Sequence, residues 1–315
     1  MKKCGYVALV GRPNAGKSTL LNALLGAKVS VVSSKPQTTR NKILGVYTDE
    51  ELCSQLIFLD TPGMHKADGL PRIHRAMNRA AWAALEDASM ACYLVDVERG
   101  WTDDDSRYFK GVLERAKGKV VVLVTKIDSI KKDAVLVASA EIESHVMGIV
   151  ESLPGSKEKL SQESVYMLSA KRPQEVSGFR KYLSQYMPEA EWLFEADDLT
   201  DRPQRFLCGE IIREQLFRQL GQELPYSCAV RVDQFESTEK IVRIGATVIV
   251  QRDTHKAIVI GKKGSRLKQI GTEARLGLEK HLGQKVHLDL FVKVQEGWLD
   301  DDRLLAEYAT LEAEG

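Results

Sequence analysis

Two short stretches near the N-terminus combine the residue types that phosphate chemistry needs. Gly11-Arg12-Pro13-Asn14-Ala15-Gly16-Lys17-Ser18 matches G-x-x-x-x-G-K-[ST] in full. It follows an apolar run, Tyr6–Val10, and opens a helical pattern, Ser18–Leu25, which is the context in which such a loop wraps a phosphate. Glycines let the backbone curl so that successive N–H groups face an anion, and the helix start adds its positive end. Lys17 can bridge β- and γ-phosphates, and the Ser18 hydroxyl is a hard oxygen suited to Mg²⁺. A nucleoside triphosphate site is therefore expected, lined by Gly11, Asn14, Ala15, Gly16, Lys17, Ser18 and Thr19. Asp60-Thr61-Pro62-Gly63 closes a second apolar run, Gln55–Asp60. A carboxylate there can hold Mg²⁺ through water, and the Gly63 N–H can meet a γ-phosphate and sense its presence.

Two further strand ends carry base-reading chemistry. Thr125-Lys126-Ile127-Asp128 follows a Val-rich run, and Ser169-Ala170-Lys171 follows the next one. Guanine presents N1–H and N2–H₂ donors side by side, so the Asp128 carboxylate can accept from both, and adenine would leave it unpaired. The Lys126 stem can cover the base, and the Ala170 N–H can donate to guanine O6. With these motifs in order, the sequence resembles the small GTPase superfamily. One departure is Thr125, where the pattern usually has Asn, so weaker guanine binding is expected and an ATPase stays as an alternative. Another is Met64 after Gly63, where many GTPases carry a water-orienting Gln. A thioether cannot orient water, so slow hydrolysis resting on electrostatic stabilisation by Lys17, Mg²⁺ and loop N–H groups is expected.

The elements that must position these residues are legible in the same pattern. Continuous apolar runs at Tyr6–Val10, Gln55–Asp60, Ala91–Asp96, Lys119–Thr125 and Val165–Ser169 read as strands buried on both faces. Amphipathic stretches lie between them, at Ser18–Leu25, Pro71–Glu86, Asp103–Ala116, Ala134–Glu151 and Glu175–Met187. The expectation is a doubly wound, mostly parallel α/β sheet over residues 1–187, with its site at the carboxyl ends of the strands. Residues 188–203 are acidic and Pro-bounded and read as a linker. A smaller α+β domain follows over 204–298, in the order α-β-β-α-α-β, and an acidic tail over 299–315.

Composition sets bounds rather than an answer. The 315 residues are 43% hydrophobic and 28% charged, ordinary globular values that exclude a disordered or fibrous chain. No run is apolar enough to span a membrane, and the short apolar N-terminal run does not make a signal peptide, which points to the cytosol. Five scattered cysteines, Cys4, Cys53, Cys92, Cys208 and Cys228, read as buried thiols rather than zinc ligands or disulfides. The net charge of +1 hides segments: basic over 1–187 and 204–298, acidic over 188–203 and 299–315. Residues 252–285 hold nine basic and three acidic side chains. The acidic tail reads as a solvated terminus, its competition with RNA for the basic face being the alternative. Trp298 and Phe291 read as core or strand-end residues rather than stacking platforms.

Inside the basic stretch lies Ile258-Val259-Ile260-Gly261-Lys262-Lys263-Gly264-Ser265-Arg266, which looks like the G-x-x-G loop of a KH domain. Such a loop lets a single strand approach the backbone at the glycines while lysines meet phosphates, and an apolar groove takes unstacked bases. The expected RNA contacts are Ile260, Gly261, Lys262, Lys263, Gly264, Arg266 and Lys268; no DNA partner is expected. The element order is similar to the prokaryotic type of KH fold. Together, Gly11–Ser18, Pro36–Arg40, Asp60–Gly63, Ser169–Lys171, Leu224-Pro225-Tyr226 and Gly261–Gly264 resemble the Era family of bacterial GTPases over almost the whole chain.

That resemblance implies GTP and GDP as ligands with Mg²⁺, and the 3′ end of small-subunit 16S ribosomal RNA as partner. It also implies a role in 30S subunit assembly, tighter RNA binding in the GTP state, and loose attachment to the inner face of the membrane by an otherwise monomeric protein. By alignment with relatives lacking the Gln, Thr39 rather than Thr38 completes the Mg²⁺ shell together with Ser18 and Asp60, and Lys17, Thr39 and Gly63 serve catalysis. Asn14 in such relatives helps bind a K⁺ ion that replaces an arginine finger. A GTPase of tRNA modification is the alternative; its relatives carry a C-terminal cysteine motif, and this sequence ends Leu311-Glu312-Ala313-Glu314-Gly315. A metabolic kinase would need an acceptor-binding domain in place of the G-x-x-G domain.

Overall fold

A computed structural model of the chain describes residues 1–32, 43–63, 72–221 and 224–309. It divides into two compact units, the first holding most of residues 1–201 and the second residues 202 onward.

The first unit is built on β1 (Lys3–Gly11), β2 (Ile43–Asp49), β3 (Ser54–Asp60), β4 (Met90–Asp96), β5 (Lys119–Thr125) and β6 (Leu160–Met167). They form one sheet in the order β2-β3-β1-β4-β5-β6. All neighbours are parallel except β2, which pairs antiparallel with β3 from Ile43 opposite Asp60 to Asp49 opposite Ser54. Helices α1 (Lys17–Leu25), α2 (Arg72–Glu86), α3 (Asp103–Arg115), α4 (Lys132–Ser152) and α5 (Pro173–Ser184) connect and cover it. Every residue of β3 and β4 is buried, which is why these strands read as unbroken apolar runs. The order reverses on either side of β1, so the crevice at the carboxyl ends of β1, β3 and β4 is where a ligand fits. β2 is absent from the strands expected above. Its sequence, ILGVYTD, carries a glycine and a polar end, and its burial falls off along the strand, as suits an edge.

Residues 188–201, most of the 188–203 segment expected to be a linker, are strapped to the first unit. The Cys4 N–H donates to Pro188 O at 3.1 Å and the Ala190 N–H to Lys2 O at 3.1 Å. Gln55, buried in β3, holds the middle: its Oε1 accepts from Leu193 N (2.9 Å) and Phe194 N (3.1 Å), and its Nε2 donates to Phe194 O (2.9 Å). Further on, Val46 N donates to Leu199 O at 2.9 Å and the Thr200 hydroxyl to Leu44 O at 2.6 Å. The strap thereby covers part of the exposed edge of β2.

The second unit places β7 (Cys228–Ser237), β8 (Ile241–Val250) and β9 (Lys285–Val294) in one sheet, β7·β8 antiparallel and β8·β9 parallel. α6 (Gln204–Gln219), α7 (Asp253–Ile260) and α8 (Ser265–Leu282) cover one face. Ile211, Ile212, Val242, Ile244, Ala274 and Leu278 form much of the core between them. The tail departs from the expected solvated terminus: α9 (Asp302–Ala309) packs against β7. Tyr308 is buried there with its ring edge-on to the fully buried Trp298, and Arg231 pairs with Glu307 at 2.8 Å. Trp298 is a core residue as expected, whereas Phe291 is 63% exposed on the outer face of β9, neither buried nor capping the strand. Of the cysteines, Cys53 is exposed, the others buried. No helix among the described residues is long and apolar enough to cross a membrane.

The strap's dependence on one side chain is testable. Gln55→Leu strips three backbone groups of their partner, which should cost about 2–4 kcal/mol in denaturant melts of the full chain. It should also speed cleavage after Glu191 and Glu195 by a glutamate-specific protease. Unchanged stability and cleavage would show that Gln55 does not hold the segment.

Candidate functional site

The loop between β1 and α1 is bent by two residues with positive φ, Asn14 at 64° and Gly16 at 97°. Gly16 caps α1 without a side-chain hydrogen bond, and no acidic residue occupies the first turn. Glycine brings no side chain of its own to cap the opening turn, whose positive end suits an anion. Lys17 lies folded under the loop, its ammonium 3.0 Å from Gly11 O and 2.8 Å from Arg12 O. Burial pulls its pKa down to about 8, against the opposing pull of the Asp60 carboxylate.

Asp60, fully buried at the end of β3, accepts from the Ser18 hydroxyl at 2.7 Å. The Ser30 hydroxyl also donates to the same Oδ2, at 2.8 Å. The Thr61 hydroxyl ties this strand end to Leu9 O at 2.8 Å. Gly63 presses so closely on the loop that a Cβ there would sit 2.8 Å from Pro13, so only glycine lets its N–H approach a ligand held by the loop. Ser18 and Asp60 supply hard oxygen donors beside a buried cation and an uncapped helix start, a set that fits a triphosphate with Mg²⁺. Arg12, which sequence reasoning gave no role, reaches sideways to the start of α3. Its guanidinium donates to Thr102 Oγ1 at 2.9 Å and Asp105 Oδ2 at 3.1 Å, and the Tyr93 hydroxyl donates to Asp105 Oδ1 at 2.9 Å.

The strand ends of β5 and β6 come together beside this loop. Asp128 accepts from Ser169 Oγ at 2.6 Å and Lys171 Nζ at 2.7 Å. Those bonds, that from Lys171 first and that from Ser169 next, hold its carboxyl below the usual range, so it stays an acceptor at neutral pH. The Ser169 N–H donates to Glu175, which fixes the turn carrying Ala170. Lys126 adopts φ 59° and its ammonium meets Asp96 at 2.6 Å. Thr125 is buried and its hydroxyl lies 2.7 Å from Ala15 O and 3.1 Å from Val95 O. The departure from Asn at this position thus keeps a direct tie between the base-reading strand and the phosphate loop. Thr39, with the loop around it, and Met64 lie outside the described residues.

In the second unit the G-x-x-G loop joins α7 to α8. Gly261, Lys263 and Gly264 all take positive φ, at 73°, 52° and 78°, and a Cβ on Gly261 would sit 2.7 Å from the Arg266 Cβ. Lys262, Lys263, Arg266 and Lys268 are exposed and Ile260 is half-buried. Behind the loop an open groove of about 410 Å³ runs between α8 and β9. Leu267, Leu288 and Leu290 give it apolar walls, Gly271 opens it, and Lys268 and Arg275 stand at it as cations. Such a groove suits unstacked bases, with its cations toward phosphates.

Comparison with known proteins covers both units. Residues 6–126 match the family model described as 50S ribosome-binding GTPase, and residues 223–299 match the KH domain. GTPase Era of Pseudomonas entomophila is 42% identical over 306 residues, covering 96% of this chain and 95% of that one. GTPase Era of Coxiella burnetii is 44% identical over 305 residues, covering 96% and 97%. Among solved structures, a variant of Aquifex aeolicus Era bound to GDP and AlF₄⁻ superposes with a TM-score of 0.86 at 36% identity, over 98% of this chain and 100% of that one. Era in complex with MgGDPNP and nucleotides 1506–1542 of 16S ribosomal RNA gives 0.85 at 35% identity, over 99% and 100%. Identity of this extent runs through both units, and the chain belongs to the Era family of GTPases.

Proposed function

We propose that this GTPase is a magnesium-dependent switch that binds the 3′ end of small-subunit ribosomal RNA in its second unit and acts in assembly of the small ribosomal subunit. The observation that carries the RNA half is the open, apolar-walled groove with exposed lysines at its G-x-x-G end. A relative at 35% identity was solved with MgGDPNP and nucleotides 1506–1542 of 16S ribosomal RNA, which supports the choice of ligand.

In the first unit Lys17 and the loop N–H groups from Asn14 to Ser18 hold the phosphates, and Thr19 follows them in the first turn of α1. Mg²⁺, when bound, supplies Lewis-acid stabilisation of charge on the phosphate oxygens, held by Ser18 and Asp60. Gly63 offers its N–H to the terminal phosphate, and Thr39 adds a hydroxyl. Because position 64 is Met, no amide orients water there, and charge stabilisation by Lys17 and the loop carries hydrolysis. Asp128 reads guanine, Lys126 covers its face and Ala170 donates to O6. Ser169 and Lys171 keep Asp128 ionised and aligned, while Thr125 braces the base half against the phosphate half.

The base reading has a direct test. Asp128→Asn replaces an acceptor by a mixed donor and acceptor, so guanine nucleotides should lose about 3 kcal/mol of binding, roughly a hundredfold. Xanthine nucleotides, which offer a carbonyl where guanine has its amino group, should gain in competition against labelled GDP. Unaltered preference would remove Asp128 from base recognition.

The buried Lys17 gives a pH dependence of definite sign. Its pKa of about 8 before binding should rise when phosphate oxygens surround it. Below pH 8 it is charged in both states, and its contribution to affinity is flat. Above pH 8 binding takes up a proton, so affinity falls with rising pH by up to about tenfold per unit. Calorimetry of GDP binding at pH 8.5 in buffers of different ionisation enthalpy should show that uptake, and its absence would contradict the assigned contact.

For the second unit, replacing Lys262 and Lys263 by Ala should weaken binding of an oligonucleotide bearing the small-subunit rRNA 3′ end about tenfold. The slope of log affinity against log salt should fall by about 1.4, as for two lost phosphate contacts on a single strand. Crosslinking in the presence of GDP or a non-hydrolysable GTP analogue should enrich the same RNA end, more strongly with the analogue. Enrichment of tRNA instead would overturn the reading.

A further inference from the structure

The Asp60 carboxylate is gripped on one oxygen by hydroxyls from two directions. Ser18 approaches Oδ2 at 2.7 Å from the first turn of α1, and Ser30 approaches it at 2.8 Å from the segment beyond that helix. Ser30 is 2% exposed and Asp60 is fully buried, so water cannot freely take the place of the Ser30 contact. The backbone on both sides of Ser30 is itself held by one side chain. Asn22 Oδ1 accepts from Val29 N at 2.8 Å and Ser30 N at 2.9 Å, and Asn22 Nδ2 donates to Ser30 O at 2.8 Å. Ser18 and Asn22 stand four residues apart on α1 and therefore share a face of the helix. One helix face thus supplies both the candidate metal ligand and the mount of the second hydroxyl.

We propose that Ser30 is a positioning residue of the magnesium site, locking the orientation of Asp60 from a mount built by Asn22. Ser18 has two duties, because its lone pair must turn to the ion while its hydrogen points to Asp60. Ser30 has one, and so it is the fixed point that keeps Oδ2 in place while Ser18 adjusts. Partners of this kind that orient a metal-holding group are worth tenfold to a hundredfold in metal affinity. The proposal rests on the assignment of Ser18 and Asp60 to Mg²⁺.

The measurement is release of fluorescently labelled GDP from the full chain as a function of Mg²⁺ concentration. In the wild type, Mg²⁺ should slow release with a defined half-point. Ser30→Ala should raise that half-point by ten- to a hundredfold while leaving release in excess EDTA unchanged, a pattern that general loosening of the pocket would not give. Ser30→Cys keeps the volume and a weak donor, so it should fold and shift the half-point in the same direction by less. In an Asp60→Asn background, Ser30→Ala should change the half-point by less than twofold. An unshifted half-point in the two folded Ser30 variants would overturn the proposal, as would an equal shift with and without Asp60, or an equal effect in EDTA. Release from the wild type that ignores Mg²⁺ would instead remove the underlying metal assignment, and Ser30's role with it.

Discussion

A loop that must offer its own N–H groups to an anion cannot also spend them on itself, and the first unit is arranged around holding such a loop open. Within the turn from Gly11 to Gly16 the Ala15 N–H keeps only a long bond of 3.4 Å to Arg12 O, and side chains grip its other groups. Thr125 takes the Ala15 carbonyl, Lys17 takes the carbonyls of Gly11 and Arg12, and the Arg12 side chain is fastened to the start of α3. Gly63 packs against Pro13 from the end of β3. Those three carbonyls are thereby satisfied within the protein, while the glycine before α1 brings no side-chain cap to its opening. This asymmetry follows from the sheet order, because β3, β1, β4 and β5 end side by side and bring those groups to one rim.

The same logic of single polar anchors recurs away from the site. Gln55 sits in a strand buried along its whole length, where an amide is costly unless every group is matched. It is matched, by the backbone of Leu193 and Phe194 together with Thr48. An acidic segment with no apolar period thus acquires a fixed course over the sheet. Composition alone describes the outward side chains of such a strap and says nothing about its backbone, which is where its attachment lies.

This explains what was legible in the sequence and what was not. Strands β3, β4 and β5 announce themselves because burial on both faces demands unbroken apolar runs. β2 does not, since an edge strand covered by a strap needs neither a run nor a clean alternation. Asp128, Ser169 and Lys171 could be read because strand ends concentrate chemistry in short motifs, and they do meet in space. Ser30, Asn22 and Arg12 carry no motif: each works through a partner distant along the chain or through a backbone it pins, and a lone Ser or Asn is indistinguishable from a turn residue. The tail misleads for the opposite reason. Its acidic residues are conspicuous, whereas its placement is decided by Tyr308 and the buried Trp298.

The two units solve anion recognition with one device and opposite burial. Each sets a glycine in the left-handed region, Gly16 or Gly264, immediately before a helix that has no side-chain cap and no acid in its first turn. Each supplies lysine at the loop. In the first unit the lysine is buried, so its charge is held in a low-dielectric site, its pKa is displaced, and salt screens it little. Such a charge suits a compact ligand enclosed by the protein, for which geometry must be strict. In the second unit Lys262 and Lys263 stand in solvent, and lysines so placed can displace counterions from a polyanion and tolerate many positions of its backbone. On the proposed function, discrimination there falls to the groove walls at Leu267, Leu288 and Leu290. The depth at which the cation is placed therefore separates a site that reads one small molecule strictly from one that follows a chain.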